Sequence, residues 1–322
     1  MSELVSKLEN TVQLIMDLGK ECRNIIIPYS GGKDSTVVLD LCLKHAEEKS
    51  IHIVYADTLV DIPLLQKHSF KVLSNVRKLS KRRRIDVKVH IVRPRPESTF
   101  WSLIIGKGYP APNYRFRWCM DRLKLKPMRD KIKEILSHDS NSILLLGVRR
   151  DESQKRRMST GRWTNGYEAK IARISIKGYA PLIRWSAEDV WEYLMNVKPA
   201  WDRSNRELIR IYELANGGSG NNARFGCWVC TVVTKDITLQ NLAARDETCR
   251  ALLEFKEWLR GFSANPQNRV LRQGVPRSLT INARLEIYQK LKRLEEKIGM
   301  RLISKPEEDI ICACLKTFCD AH

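Results

Sequence analysis

The sequence predicts an α/β protein with a doubly wound, mainly parallel sheet and a helical C-terminal region. Short apolar runs recur at residues 25–29, 51–56, 86–92 and 142–148. Most of the segments between these runs are long enough for a helix, and strands that alternate with helices are typical of parallel sheets. After the first run, Val37, Leu41 and His45 lie on one helical stripe, so we expect this helix to pack on the sheet.

Further elements are predicted on both sides of this pattern. A helical stripe at the N-terminus consists of Leu4, Leu8, Val12 and Ile15. Residues 174–183 predict another strand, and a helix follows at Ser186, which forms a capping box with Asp189. The last region is predicted to be helical, with a stripe that consists of Ile287, Leu291, Leu294 and Ile298. We therefore expect an α/β domain over 1–185, a helical segment with a CxxC loop closing the site over 186–250, and a helical region over 251–322.

The charge of the chain favours a polyanionic partner. Its 57 Lys and Arg residues outnumber 37 Asp and Glu residues, which gives a formal net charge of +20. The excess is concentrated at residues 76–95, 114–133 and 149–162. Any one cluster alone is compatible with a solvated surface. Three clusters around one predicted site favour a phosphate-rich substrate such as nucleic acid.

The N-terminus and the cysteines set the expected location. No apolar run approaches the roughly 18 residues that span a bilayer, and the first twenty residues lack an export signal. We therefore expect a cytoplasmic protein without membrane partners. Nine cysteines in such a chain serve packing, catalysis or metal binding rather than a disulfide framework, because the cytosol keeps thiols reduced.

The stretch YSGGKDS, residues 29–35, follows the first predicted strand and opens a helix. Backbone amides at Gly31 and Gly32 can approach phosphate oxygens closely, and a helix N-terminus favours an anion. Lys33 adds a positive charge. The spacing differs from the Walker pattern GxxxxGK[ST], so ordinary transfer of a γ-phosphoryl group is not indicated.

The polar side chains of this loop suit a nucleotide complexed with Mg²⁺. Ser30 and Ser35 can donate hydroxyl hydrogen bonds, and Asp34 can bind the metal directly or through water. Asp57 follows the next predicted strand, at the edge where parallel sheets bind ligands. It either contacts the adenosine part of the nucleotide or caps the following helix.

SGGKDS after a buried strand resembles the pyrophosphate loop of the N-type ATP pyrophosphatases, which split ATP between the α- and β-phosphates and include the phosphoadenylylsulfate reductases. Further stretches narrow the resemblance, namely 109–128 (YPAPNYRFRWCMDRLKLKPM), 146–153 (LGVRRDES), 179–191 (YAPLIRWSAEDVW) and 224–233 (RFGCWVCTVV). Over residues 20–240 the chain is similar to the DndC-type, SspD-like sulfurtransferases of DNA phosphorothioation. The resemblance implies an adenine nucleotide alpha hydrolase-like fold.

The resemblance also implies a reaction and its participants. ATP with Mg²⁺ would adenylate a DNA backbone phosphate oxygen, releasing pyrophosphate, and sulfur would then displace AMP. The implied partners are DNA, a cysteine desulfurase as sulfur donor and other phosphorothioation proteins. Positioning and charge neutralisation should dominate catalysis. Arg149 and Arg150 can clamp phosphate oxygens with planar forks, although one of them could pair with Asp151 or Glu152 instead.

Cys119 is the first candidate for sulfur chemistry. Arg115, Arg117, Arg122 and Lys124 surround it in the sequence. Nearby cations lower the pKa of a thiol, so we expect a thiolate. The alternative is a buried thiol packed beside Trp118.

Cys227 and Cys230 form a CxxC pair, whose spacing allows both thiolates to reach one metal ion. The resembled family is associated with a [4Fe–4S] cluster and commonly carries more cysteines beside the CxxC pair. Here residues 216–226 contain none, which leaves Cys249 as a fourth ligand besides Cys119. A redox or persulfide-carrying pair and a purely structural CxxC also stay open.

Three other functions stay open alongside sulfur insertion into DNA. The first is reduction of phosphoadenylylsulfate or adenylylsulfate, since the same loop would bind the adenylyl group. The second is tRNA thiolation, which also joins adenylation to sulfur transfer. The third is a DNA-binding scaffold without turnover, against which the intact Ser30, Lys33, Asp34 and Ser35 argue.

Overall fold

The structure is a computed structural model that describes residues 3–46, 48–150, 167–171, 174–217 and 223–319. It contains a six-stranded sheet in the order β3-β2-β1-β4-β6-β5. Its strands are β1 Asn24–Tyr29, β2 Ser50–Ala56, β3 Val87–Val92, β4 Ser142–Leu145, β5 Tyr167–Ile171 and β6 Ile174–Tyr179. Five strands run parallel, and β5 pairs antiparallel with β6 at the edge. The sequence prediction missed β5.

Helices separate most of the strands and form most of the C-terminal region. They are α1 Glu3–Glu21, α2 Lys33–His45, α3 Pro63–Arg83, α4 Lys126–His138, α5 Ala187–Asn196, α6 Arg206–Asn216, α7 Ile237–Ala243, α8 Glu247–Ala264, α9 Ile281–Ile298 and α10 Lys305–Cys319. The predicted capping box at α5 is present, with Ser186 accepting from the Asp189 amide and the Asp189 carboxylate accepting from the Ser186 amide. No helix in the described ranges is both long enough and apolar enough to cross a membrane.

The C-terminal region is mostly helical, as predicted, but it also contains a hairpin that was not predicted. A hairpin of β7 Arg269–Arg272 and β8 Val275–Leu279 lies between α8 and α9. Gln273 and Gly274 form its turn, and both have positive φ, at 51° and 73°. Two consecutive left-handed residues are typical of a tight hairpin turn.

Residue contacts divide the chain into two units with boundaries that differ from the predicted segments. The first unit comprises residues 1–56, 63–92 and 128–212. The second comprises residues 57–62, 93–127 and 213–322. Packing thus assigns the loops after β2 and β3 to the second unit, although the strands themselves belong to the first.

Both faces of the sheet in the first unit are covered, which confirms the predicted doubly wound fold. Ile26 packs in one cluster with Ile132 and Ile135 of α4. Strand alternation directs Ile25 and Ile27 to the opposite face, and both are fully buried. A parallel sheet that is buried on both faces explains why its strands read as continuous apolar runs.

A histidine pair lies on the sheet face that α4 covers. The rings of His52 and His90 stack with centroids 5.3 Å apart, and His52 Nδ1 lies 3.1 Å from His90 Nε2. Burial, His90 and Lys88 lower the pKa of His52 to about 4. Burial and Lys131 also lower the pKa of His90, while Glu134 opposes them.

We expect this pair to make stability fall as the solution is acidified from pH 7 to pH 4. Between the folded pKa of about 4 and the ordinary value of 6.5, the unfolded chain binds a proton at His52 that the folded protein does not. Protonation therefore favours unfolding by on the order of 2 kcal/mol. Urea unfolding between pH 4 and pH 7 should show a flatter profile for His52→Gln, whereas the exposed control His138→Gln keeps the wild-type slope.

An aromatic cluster forms the core of the second unit. Trp101 lies 5.9 Å from Trp228 and 5.8 Å from Phe255, measured between ring centroids. Phe100 packs edge-on to Trp101 at 4.9 Å and stacks on Trp118 at 5.5 Å. Aromatic contacts of this kind add specific geometry to apolar burial. The cluster fixes the segments that lead to Cys119 and to the CxxC pair.

Candidate active site

The predicted phosphate loop joins β1 to α2 in the first unit. Gly31 has a left-handed φ of 76°, and Gly32 is extended and precedes the first helical residue, Lys33. A Cβ atom added at Gly31 would collide with the side chain of Ser69 on α3. Both its conformation and its surroundings therefore require glycine. A ligand at the end of β1 can therefore approach the backbone amides at the start of α2 closely.

The two loop hydroxyls hold the shape of the turn. Ser35 Oγ donates to the carbonyl of Gly32 at 3.0 Å and accepts from the amide of Ser30 at 3.2 Å. Ser30 Oγ lies 3.0 Å from Ser35 Oγ. These bonds preorganise the loop before any ligand binds. The predicted donation from these hydroxyls to phosphate stays a prediction.

Three charged side chains meet at the start of α2. Lys33 Nζ lies 2.7 Å from Asp34 Oδ2, and Arg149 Nε lies 2.5 Å from Asp34 Oδ1. Lys33 and Arg149 are buried, so their attraction to the carboxylate is little screened by solvent. These groups meet at a helix N-terminus, where the helix dipole favours an anion.

Gly147 allows the end of β4 to approach this loop. A Cβ atom at Gly147 would lie 2.8 Å from the backbone nitrogen of Ser35. The close approach brings Arg149, two residues later, to Asp34. Arg150 is exposed, and its amide donates to the carbonyl of Ile183. Of the two predicted arginines, the structure places Arg149 at the loop, and the alternative partners at 151 and 152 lie outside the described residues.

Tyr212 is part of this site, although no sequence motif identifies it. The amide of Lys33 donates to the Tyr212 hydroxyl at 3.2 Å, and a Cβ added at Gly32 would lie 3.3 Å from that oxygen. The Tyr212 ring packs edge-on against Trp191 with centroids 4.9 Å apart. Burial raises the pKa of Tyr212, so its hydroxyl stays protonated and can also donate. Its oxygen accepts from an amide that would otherwise suit a phosphate oxygen.

We expect Tyr212→Phe to destabilise the ligand-free protein by about 1–2 kcal/mol, because a buried amide loses its acceptor. Inorganic pyrophosphate bound at the loop would supply a new acceptor. Denaturant unfolding should therefore show a smaller difference between variant and wild type with pyrophosphate present than without it. If the variant loses the same unfolding free energy with and without pyrophosphate, the Lys33 amide does not take part in anion binding. Tyr288→Phe, which alters a tyrosine in the second unit, should show no such dependence on pyrophosphate.

Asp57 lies in the second unit and orders the loop after β2. It is fully buried. Its carboxylate accepts from the amide of Leu59 at 3.1 Å and from Arg93 Nε at 2.8 Å. Leu59 has a left-handed φ of 65°. The alternative role of Asp57 as a helix cap is wrong, because residues 58–62 separate it from the start of α3 at Pro63. The predicted adenosine contact stays a prediction.

Cys227 is held by polar partners in the second unit. Its Sγ lies 3.9 Å from Asp61 Oδ1 and 3.6 Å from Thr58 Oγ1, and its backbone bridges that of Asp61. Burial raises the pKa of the Cys227 thiol to about 12, and Asp61 adds to this effect. Burial also raises the pKa of Asp61. The Cys227 thiol therefore keeps its proton at neutral pH.

Cys119 is near Cys230, but the predicted low thiol pKa is wrong. Burial raises the pKa of Cys119, and Cys230 raises it further, while Arg117 offsets only part of the effect. The neighbouring Arg115 and Arg117 are exposed, so their charges are screened by solvent. Cys119 and Cys230 are both half-buried free thiols.

Cys249 occupies a different setting from the other candidate ligands. It is buried in the first turn of α8, where its amide donates to the capping carboxylate of Asp246. Burial raises the pKa of its thiol to about 12, followed by the effect of Asp246. Within the described ranges, no group of three or more His, Cys, Asp or Glu side chains is arranged to hold a metal ion. These cysteines do not fit a [4Fe–4S] cluster in this arrangement.

Comparisons with known proteins give one curated relative. A protein of Methanocaldococcus jannaschii described as uncharacterised is 30% identical over 206 residues. The matched region is 64% of this chain and 36% of that protein. The chain therefore spans little more than a third of the length of this relative.

Three solved structures share a distant likeness with the chain. A phosphoadenylyl-sulfate reductase from Candida auris in complex with phosphate has a TM-score of 0.42 and 15% identity, over 71% of this chain and 96% of that one. An FMN adenylyltransferase from Candida glabrata has a TM-score of 0.39 and 13% identity, over 69% of this chain and 62% of that one. An NH3-dependent NAD synthetase from Campylobacter jejuni, in complex with nitrate, has a TM-score of 0.38 and 12% identity, over 84% of this chain and 100% of that one. Such low scores assign neither a fold nor an activity.

A family model gives the stronger result. The phosphoadenosine phosphosulfate reductase domain matches residues 24–232. This range begins with β1 and extends past the CxxC pair, and it includes the loop at the start of α2. It is well over half of the chain, which therefore belongs to the phosphoadenosine phosphosulfate reductase domain family.

Proposed function

We propose that this chain is an ATP pyrophosphatase that adenylates a DNA backbone phosphate before sulfur insertion, as in DNA phosphorothioation. The observation that carries the proposal is the preorganised loop, where a helix N-terminus, Lys33 and Arg149 present positive charge beside a glycine turn. Family membership supports a nucleotide-using enzyme. The DNA substrate rests on the resemblance of residues 20–240 to the DndC-type sulfurtransferases and on the basic clusters of the chain.

In the first step, a non-bridging oxygen of the DNA phosphate attacks the α-phosphorus of ATP, bound as its magnesium complex. The bond to the β-phosphate breaks and pyrophosphate leaves. Lys33 and Arg149 would release Asp34 in part and neutralise the departing phosphate oxygens. The amides at the start of α2 would bind the same group. The DNA phosphate then carries AMP as a leaving group.

In the second step, the terminal sulfur of a persulfide on Cys119 attacks the DNA phosphorus and AMP leaves. The sulfur comes from a cysteine desulfurase partner. A second thiol must then attack the Cys119 sulfur, which frees the phosphorothioate and leaves a disulfide. Cys230 suits this role because it lies close enough to raise the pKa of Cys119. A cellular dithiol would reduce the disulfide for the next turnover.

Labelled nucleotide tests the first step. The protein is incubated with α-labelled ATP, Mg²⁺ and DNA oligonucleotides, and the products are separated. AMP and pyrophosphate, formed only when DNA is present, support the proposal. ADP as the product would contradict it, and so would stimulation by tRNA alone, which favours tRNA thiolation. Absence of any product would favour a scaffold without turnover.

Reduction of phosphoadenylylsulfate is a second candidate, and the family model favours it specifically. The loop at the start of α2 would then bind the phosphates of the adenylyl substrate. The test is release of sulfite from phosphoadenylylsulfate or adenylylsulfate in the presence of reduced thioredoxin. Sulfite release without ATP cleavage would replace the first proposal by this one.

A further inference from the structure

A basic segment of the second unit displays large apolar side chains to solvent. This segment, residues 113–126, is called the Tyr114 segment below. Tyr114 is 78% exposed and Phe116 is 45% exposed. Met120 and Leu125 are exposed as well. Large side chains clustered at a surface mark an interaction site more often than isolated ones do.

Positive charge accompanies these side chains. The exposed cations of the segment are Arg115, Arg117, Arg122, Lys124 and Lys126. The one acidic residue among positions 113–126 is Asp121. The surface therefore offers aromatic faces within a strongly positive field, and a polyanion with its own flat, apolar groups complements it.

The aromatic side chains are held by local structure. Asn113 Oδ1 accepts from the amides of Arg115 and Phe116 at 2.9 and 3.0 Å. The backbones of Asn113 and Phe116 also bond to each other in both directions. The guanidinium of Arg117 lies 4.9 Å from the centroid of the Tyr114 ring, a cation–π distance. Such a turn presents its rings without a large ordering cost on binding.

We propose that the Tyr114 segment binds single-stranded nucleic acid by stacking unpaired bases on Tyr114 and Phe116, while its cations contact phosphates. Stacking on exposed rings requires bases that are free of their own stack, which a regular duplex does not supply. In the sequence, Tyr114 and Phe116 alternate with Arg115 and Arg117, so the segment offers rings for bases and cations for phosphates. Arg117 is suited to contact a phosphate while it stays over the Tyr114 ring.

The inference deepens the proposed function, on which it rests for the choice of substrate, by specifying the strand state of the nucleic acid. Cys119 follows Arg117 by two residues and lies in the same unit. A strand stacked on Tyr114 and Phe116 would bring its backbone near the thiol proposed to deliver sulfur. The Tyr114 segment would thus act as a positioning surface rather than as catalytic residues.

Fluorescence anisotropy with labelled oligonucleotides of about 12 nucleotides, within the site size of known single-strand binders, tests the inference. Separate arms use single-stranded DNA, single-stranded RNA, duplex DNA and anionic phospholipid vesicles. We expect the full chain to bind a single strand at least tenfold more tightly than the duplex. Tyr114→Ala and Phe116→Ala should each weaken single-strand binding about five- to a hundredfold, as loss of one stacked base predicts.

Matched variants separate stacking from charge and from misfolding. Tyr114→Phe keeps the ring and should bind like the wild type. Arg115→Ala should weaken binding and reduce its salt dependence, whereas Arg293→Ala, which removes an exposed arginine of α9, should change neither. Duplex binding at least as tight as single-strand binding, preference for vesicles, or unchanged binding by Tyr114→Ala would overturn the inference.

The same experiment distinguishes failure of the inference from failure of the proposed function. ATP cleavage is measured in parallel with the single-stranded and duplex oligonucleotides. Cleavage stimulated by duplex DNA, with no effect of Tyr114→Ala on binding, would retain the proposed function and reject the Tyr114 segment. Single-strand binding that depends on Tyr114 without any ATP cleavage would retain the segment and reject the adenylation step.

Discussion

Lys33→Ala is expected to lower the rate of ATP cleavage between the α- and β-phosphates by about a hundredfold or more. The substitution removes a positive charge from the helix N-terminus, where charge on the leaving pyrophosphate develops, and loss of one preorganised donor at such a position has effects of this size. Asp34 would remain paired with Arg149, so the fold should persist. Release of pyrophosphate from ATP, measured with saturating DNA, gives the rate.

A lysine on α3 provides the control for this result. Lys78 is exposed, and Lys78→Ala should cleave ATP at the wild-type rate. Thermal unfolding of both variants shows whether they are folded at the assay temperature. Wild-type turnover by Lys33→Ala would remove the loop from the reaction, and the proposed function would fail with it.

Cys119→Ala is expected to abolish transfer of sulfur to DNA while ATP cleavage continues. The proposed persulfide forms on this thiol, and an alanine methyl group cannot carry sulfur. The assay supplies [³⁵S]cysteine, a cysteine desulfurase, ATP and single-stranded DNA, and it measures label in the oligonucleotide together with AMP. We expect label at background level and AMP within about threefold of the wild-type amount, because the loop residues are unchanged.

Two further cysteine variants test the resolving thiol and control for cysteine replacement in general. Cys230→Ala should accumulate DNA covalently bound to Cys119, since the resolving thiol is missing. Cys312→Ala changes a half-buried thiol of α10 and should transfer sulfur normally. Normal labelling by Cys119→Ala would exclude this residue as the carrier, and loss of label in the Cys312 variant would indicate a general sensitivity to cysteine replacement.

The sheet was largely predictable from sequence because its strands are buried on both faces and read as apolar runs. Ser186 with Asp189 fixed the start of α5 through a local rule that needs no tertiary information. The edge strand β5 and the hairpin of β7 and β8 were missed. β5 is a short strand at the edge of the sheet, and β7 and β8 are short strands that pair only with each other. The hairpin is also mostly exposed. Neither element therefore produces a strong apolar pattern in the sequence.

The residues of the candidate site that stand together in one sequence motif were predictable, whereas those that reach it only through tertiary packing were not. Lys33 and Asp34 stand together in one glycine-rich motif, whereas Tyr212 reaches the same loop from 179 positions away. Gly147 stands two residues before Arg149 in the sequence, but its closeness to the Ser35 backbone has no signature in the sequence. The charge environment of Cys119 was misjudged because neighbouring arginines in the chain extend into solvent.

The pairing of Asp34 with both Lys33 and Arg149 bears on which nucleotides the loop would accept. Asp34 compensates part of the positive charge of Lys33 and Arg149, so a phosphate ligand must compete with this internal carboxylate. A monophosphate such as AMP has too little charge and too few oxygens to replace that carboxylate at both cations. A triphosphate can engage both cations at once, so this internal carboxylate would make the loop select ATP over AMP.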